Sequence, residues 1–354
     1  MSAPNGETVI TSRGHGGNRR TVPGSTGGSP SPVLLATLGA ASISASAVLI
    51  KLANTGAASA AFYRCAFALP VLAVLAVLEQ RRRGGRPLSA RAGAVLAGVF
   101  LGIDLVLWNH AIADVGAGIA TVIGNLQVLF VAIAAWALFH ERPGRRFLLA
   151  LPVVLTGVVL VSGLIGARQT GTHPLAGIEY GLGTSVAYAC FLLILRQAST
   201  GTPHVAGPVA EATLGSAVGA LLLGLIFGGL SVHVPLASLG WLLLLAMTSQ
   251  TAGWLLITSS LPRLPAAISS LLLLLQPAAS IVLAAIVLAE RPTVVQLGGA
   301  VFVCGGILAG TWKAAPRAVS STDLNTERSE VAPHLPTPAP FPPRQEPTTE
   351  LASP

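Results

Sequence analysis

Charge is scarce in this chain. Only 10% of its 354 residues are Asp, Glu, Lys or Arg, where a soluble domain carries about a quarter. That scarcity excludes an ordinary soluble enzyme. Cysteine is rarer still: Cys65, Cys190 and Cys304 all lie inside apolar runs. An odd count without metal-ligand spacing excludes a disulfide framework and a cysteine metal centre, and leaves them as small packing residues. Catalytic signatures are missing as well. There is no Gly-x-Ser-x-Gly, no His-Glu-x-x-His, no Walker loop and no Cys/His cluster, so neither an enzyme nor a cofactor is expected.

Apolar residues are abundant. They make up 52% of the chain, mean hydropathy is +0.72, and they gather in runs long enough to cross about 30 Å of hydrocarbon as helices. A chain that must satisfy its backbone in lipid does so as helices. Apolar runs and polar breaks predict an all-α polytopic membrane protein of ten helices, near 32–52, 57–78, 92–110, 117–138, 147–165, 177–196, 206–228, 238–259, 265–288 and 294–312. Residues 1–31 and 314–354, rich in Gly, Ser, Thr and Pro, read as disordered tails. An "ASA" at 45–47 resembles a signal-cleavage site, but the apolar run continues past it through "VLIKL", which favours an uncleaved first span.

The net charge of +8 does not point to nucleic acid, because the basic residues sit in short connectors. There they read as topology signals. Arg13, Arg19, Arg20, Arg81, Arg82, Arg83, Arg86, Arg91, Arg142, Arg145, Arg146, Arg196, Arg263, Lys313 and Arg317 fall on one face, with little beyond Arg168 and Arg291 opposite. Both termini are expected in the cytoplasm of a plasma membrane. The Ala/Gly/Arg-rich composition is compatible with a bacterial inner membrane.

The chain also repeats itself. Glu141-Arg142-Pro143 recurs as Glu290-Arg291-Pro292, an offset of 149 residues (290 minus 141). The same offset pairs Leu126-Gln127 with Leu275-Gln276, Gly157 with Gly306, and Ala117 with Ala266. Spans four and five thus match nine and ten. Five spans per half is odd, so the halves (32–165 and 177–313, joined by 166–176) are expected to cross in opposite senses, the inverted-repeat plan of secondary transporters.

"LQVLFVAIAAWALFHERPGRRFLLALPVVLTGVVLVSG" and "LQPAASIVLAAIVLAERPTVVQLGGAVFVCGGILAG", with Lys51 and "FYRCAFALP", resemble the two EamA domains of the drug/metabolite transporter superfamily. The resemblance covers about Pro32 to Lys313. It implies two inverted five-helix bundles around a central cavity, with the fifth and tenth helices peripheral, and export or exchange of metabolites or amino acids. One departure stands out. Where the family often has proline early in the fourth span, this chain has Gln127-Val128, whereas the ninth keeps Gln276-Pro277. A hinge is therefore expected in one half only. The Glu-Arg-Pro pairs themselves read as loop ion pairs that position helix ends.

An ionisable group deep in a span costs about 2.5–3.5 kcal/mol, so each needs a reason. Lys51 ends the first span and can snorkel. Arg64 and Asp104 lie at similar depth and read either as a helix-locking salt bridge or as a site: Arg64 for a substrate carboxylate, Asp104 for an amine or a proton. Arg196 and Glu211 are the corresponding groups of the second half, as an interfacial ion pair or, for Glu211, a coupling site. Gln127 and Gln276 are repeat-equivalent near the midplane, either cavity-lining or hydrogen-bonded between helices. Asp104 with Trp108, and Gln250 with Trp254, share helix faces at a spacing of four. Asn109, Asn125 and Tyr188 are weaker candidates, and His110 reads as a loop histidine. Gly98/Gly102, Gly224/Gly228 and Gly306/Gly310 read as packing pairs. The expected partners are a small-molecule substrate, the lipid bilayer, and a proton or counter-substrate. A passive channel or uniporter is the alternative that the same lining permits.

Overall fold

A computed structural model describes residues 30–164, 173–227, 230 and 234–312; the expected tails, most of the connecting loop, Gly228 and Lys313 lie outside them. The described residues are helical, with no strand among them. The helices are α1 Pro32–Ala53, α2 Ala57–Arg83, α3 Leu88–Gly124, α4 Gln127–Phe139, α5 Arg145–Val161, α6 Pro174–Ser199 and α7 Ala206–Ile226. They continue as α8 Leu236–Leu245, α9 Trp254–Ser260, α10 Ala266–Leu273, α11 Leu275–Val287 and α12 Val294–Thr311. A π-helical stretch, Ala246–Gly253, joins α8 to α9.

Eight helical stretches are long and apolar enough to cross a membrane. The difference from the ten expected spans has two sources. Leu88–Phe139 runs 52 residues as one stretch, more than one crossing needs at about 1.5 Å per residue. It is bent at Gly116 (φ 82°, ψ 159°), a left-handed geometry that glycine adopts without a Cβ clash. α5 has 17 residues, just short of a full crossing. His110, expected in a loop, stands inside α3 and packs between Tyr180 and Phe227, ring centroids 5.2 and 5.4 Å away. The helix continues because no breaker occurs before Gly116.

The repeat is visible in the backbone. α3 bends at Gly116, just before Ala117, and α10 starts at the equivalent Ala266, after Pro265. Helix stops after Gly124 in the first half and after Leu273, its equivalent, in the second. His140 (φ 54°) and Ala289 (φ 53°) are both left-handed. The two fourth-position helices are therefore discontinuous in both halves, which corrects the expectation of a single hinge. Pro277 has no N–H for the Leu273 carbonyl and stands in the first turn of α11, where proline is tolerated. The first half lacks that proline and uses side chains. The Ser185 hydroxyl from α6 donates to the Ile123 carbonyl and lies 3.2 Å from that of Gly124, and Asn125 Nδ2 donates to Thr121 O at 2.7 Å.

Glycine sets the tightest contacts. α3 lies against α6 and α7, and a Cβ on Gly98 would stand 1.8 Å from the Ala212 carbonyl oxygen. α5 meets α12 where a Cβ on Gly157 would stand 2.8 Å from Gly299 O, and the reverse. Backbones this close gain dispersion contact over their length, which drives helix association in lipid. Large apolar side chains such as Leu149 (75% exposed) and Ile286 (74%) face outward, as a lipid-facing surface requires.

Candidate functional site

The broken helices surround a cavity of about 440 Å³, within the range of small-molecule sites. Six of the seven expected binding residues line it: Arg64, Asp104, Trp108, Gln127, Trp254 and Gln276. They come from α2, α3, α4, α9 and α11, so both halves contribute. Gln127 and Gln276 stand at the starts of α4 and α11, directly after the two breaks. A broken helix opens backbone groups and first-turn side chains toward a central space, which an unbroken one keeps covered.

Gln250 is the exception. It is 1% exposed and does not line the cavity. Its Oε1 accepts from Arg64 Nε at 3.1 Å and its Nε2 donates to Thr213 Oγ1 at 3.0 Å. The π-helical turn that carries it widens the local register, a device frequent at functional sites. Gln250 thereby fixes the plane of the Arg64 guanidinium from behind.

Arg64 and Asp104 are both buried, each 7% exposed. No ion pair within 4.0 Å joins them among the described residues. Both line the same cavity, so a guanidinium and a carboxyl group face one space without an ion pair at contact. Such a pair costs desolvation without full Coulombic return, and a bound ligand bearing both charges would restore the balance.

Aromatic rings close one wall. Trp254 stacks edge-on against Phe191 at 4.8 Å and lies 6.4 Å from Tyr188. Trp254 Nε1 and Gln127 Oε1 are buried without a hydrogen-bond partner, a donor and an acceptor left for a ligand or water. Sequence reasoning undervalued Tyr188 and missed Thr121, Thr184, Ser44 and Ser280, all lining residues. Ser280 stands four residues after Gln276, one turn along the same face, which was the available signal. Asn125 also lines the cavity; Asn109 does not.

The other candidates stand elsewhere. Glu211 pairs with Arg86 and, at 2.9 Å, with Arg91, away from the cavity lining. Arg196 pairs with Glu141 at 2.8 Å, not with Glu211, and Lys51 pairs with Glu290. No group of three or more metal-ligating side chains occurs among the described residues.

An all-helical, lipid-faced bundle with two repeats around a mainly apolar cavity that holds a few buried polar and ionisable groups defines a polytopic membrane transporter. The EamA-like transporter family model matches residues 30–163 and again 175–311, and the chain belongs to that family. Among curated proteins it is similar to the probable 4-amino-4-deoxy-L-arabinose-phosphoundecaprenol flippase subunit ArnE. For the Salmonella paratyphi B protein the identity is 28% over 78 residues, 22% of this chain and 70% of that one. For Salmonella paratyphi C it is 29% over 66 residues, 19% and 60%. A solved crystal structure matches with a TM-score of 0.65 at 15% identity, covering 80% of this chain and 97% of the other; at that identity the likeness shows the fold.

Proposed function

We propose that the chain is a secondary transporter that moves a small zwitterionic or amphiphilic metabolite, such as an amino acid, by alternating access. It works as an exporter or exchanger of the bacterial inner membrane with both termini cytoplasmic. The observation that carries this reading is the shared cavity of Arg64 and Asp104, a buried base and a buried acid with no ion pair between them. Arg64, held by Gln250, takes the substrate's anionic group. Asp104 takes its amine, or a coupling proton. Trp108, Trp254 and Tyr188 take the apolar part, and Gln127 and Gln276 approach it from the two repeats. The ArnE relatives are named for an amino-sugar lipid, and an amine of that kind suits Asp104 too, so amine-bearing lipids belong in the assay.

The test is solute counterflow in proteoliposomes with pooled amino acids, metabolites and amine-bearing lipids. Wild type is expected to exchange a subset. Arg64→Gln is expected to lose tenfold or more, about what one charge-assisted contact carries, and Gln127→Ala/Gln276→Ala to lose less. Flux that neither saturates nor shows counterflow would make the protein a channel. Full counterflow in Arg64→Gln would remove Arg64 from the site.

A further inference from the structure

The two Glu-Arg-Pro glutamates hold matching positions in the repeat, and each reaches across to a cation of the other half. Glu141 follows α4 and binds Arg196 at the end of α6; Glu290 follows α11 and binds Lys51 at the end of α1. Position 200 is the strict equivalent of Lys51, and Arg196 stands one turn before it on the same face. Glu141 also accepts from the Ala266 amide at 3.1 Å, where α10 begins. α10 and α11 then run on to Glu290, so the two glutamates mark opposite ends of one helix pair, about 33 Å apart at 1.5 Å per residue.

Those ends differ. Glu141 and Arg196 have side chains 15% and 8% exposed. Arg196 also donates to the Leu261 and Leu264 carbonyls, both at 3.2 Å, and Leu261 and Leu264 are fully covered. Glu290 and Lys51 are 45% and 65% exposed. The cavity reaches that second end, lined there by Ile50, Ala117, Val161 and Gln296, and takes no lining from the first. Ala117, the repeat equivalent of Ala266, is among those residues.

We infer that the crosswise pairs are the two gates of the transport cycle, with Glu141–Arg196 buried and seated against the Ala266 amide and Glu290–Lys51 paired but open to solvent. The seated gate specifies the other closed form. When the cavity opens toward Glu141, Glu290 and Lys51 become buried and Glu290 accepts from the Ala117 amide, while Glu141 releases the Ala266 amide. Gly116, which bends α3 just before Ala117, presents that amide as Pro265 presents Ala266. The inference rests on the alternating-access reading, and its test needs no substrate.

Amide hydrogen exchange is measured on the full chain in nanodiscs for wild type, Glu141→Gln and Glu290→Gln. Glu141→Gln weakens the seated gate. Its local effect is faster exchange near Ala266; the informative effect is remote, with Ala117–Gly118 amides slowing about twofold as the present form loses population, the equilibrium itself shifting about tenfold for one charge-assisted bond. Glu290→Gln is expected to slow exchange near Ala266 about tenfold, because it lowers the population of the minor form in which that amide is released, and to leave Ala117–Gly118, already open in the major form, near wild type. Each substitution changing exchange at its own end alone would overturn the inference, as would equal effects of the two at Ala117. If Glu141→Gln speeds exchange everywhere by unfolding, Glu290→Gln at the exposed pair decides alone: unchanged exchange near Ala266 overturns the inference. Failure of counterflow with these exchange responses intact would reject the substrate reading and keep the gates.

Discussion

The break after Gly124 and the break after Leu273 occupy the same repeat position and are built from different chemistry. In the second half one covalent fact suffices: Pro277 lacks an N–H, so the Leu273 carbonyl has no donor four residues on. Around it the chain is all leucine, Leu271 to Leu275, and its tight turn closes through Leu274 N to Leu271 O at 3.1 Å. The first half has Val128 where proline would stand. It breaks where the Ser185 hydroxyl gives the Ile123 and Gly124 carbonyls another partner, while Asn125 Nδ2 adds a second donor to the Thr121 carbonyl, which already accepts from Asn125 N. Ser185 belongs to α6, in the other half. One break is thus written into its own segment, and the other is imposed by a neighbour. Geometry at a repeat position can persist when the residue that made it is gone, provided that the orphaned carbonyls are satisfied.

Substitutions can break or sharpen this contrast. The largest effect is expected from Ala132→Pro, one turn into α4, where the ring meets an intact helix; about 3 kcal/mol or more of stability should go, read as thermal unfolding in detergent. Next comes removal of the imposed break's partners. Asn125→Leu with Ser185→Ala should cost about 1–2 kcal/mol, a membrane hydrogen bond being worth about 0.6 kcal/mol on average and an orphaned carbonyl more. Pro277→Ala, which offers Leu273 a donor, should leave stability near wild type and slow counterflow by straightening α10 into α11. The smallest effect belongs to Val128→Pro. The Val128 amide bonds only to Asn125 O, at 3.3 Å, so proline there should cost under about 1 kcal/mol and restore much of what the Asn125/Ser185 pair of substitutions removes. If Val128→Pro unfolds the protein as Ala132→Pro does, the first break is not equivalent to the second.

The 149-residue offset was legible because it rests on residue identity: Gln127 with Gln276, Glu141 with Glu290, Gly157 with Gly306. The lining residues Arg64, Asp104 and Trp254 were legible because polar groups in hydrocarbon are costly and therefore stand out. What escaped the sequence were partners. Glu141 finds Arg196 across 55 positions and Ala266 across 125, and no local pattern encodes such distances. Gln250 looked like a lining residue because periodicity assumes an α-helix; the π turn at Ala246–Gly253 rotates it behind Arg64. Serines and threonines were overlooked since a hydroxyl in a membrane helix can always return to its own backbone, as Thr121 does to Ala117 O.

The contact between α5 and α12 carries a practical consequence. Where Gly157 and Gly299 let two backbones touch, the Val303 and Leu160 side chains fill the space beside them, and the helices move apart only by losing the contact entirely. A pair of spin labels on the lipid-facing residues Val153 and Phe302 therefore serves as a fixed ruler. Against its constant separation, any change between labels near His140 and Ala289 can be measured as displacement of the mouths rather than tumbling of the whole molecule.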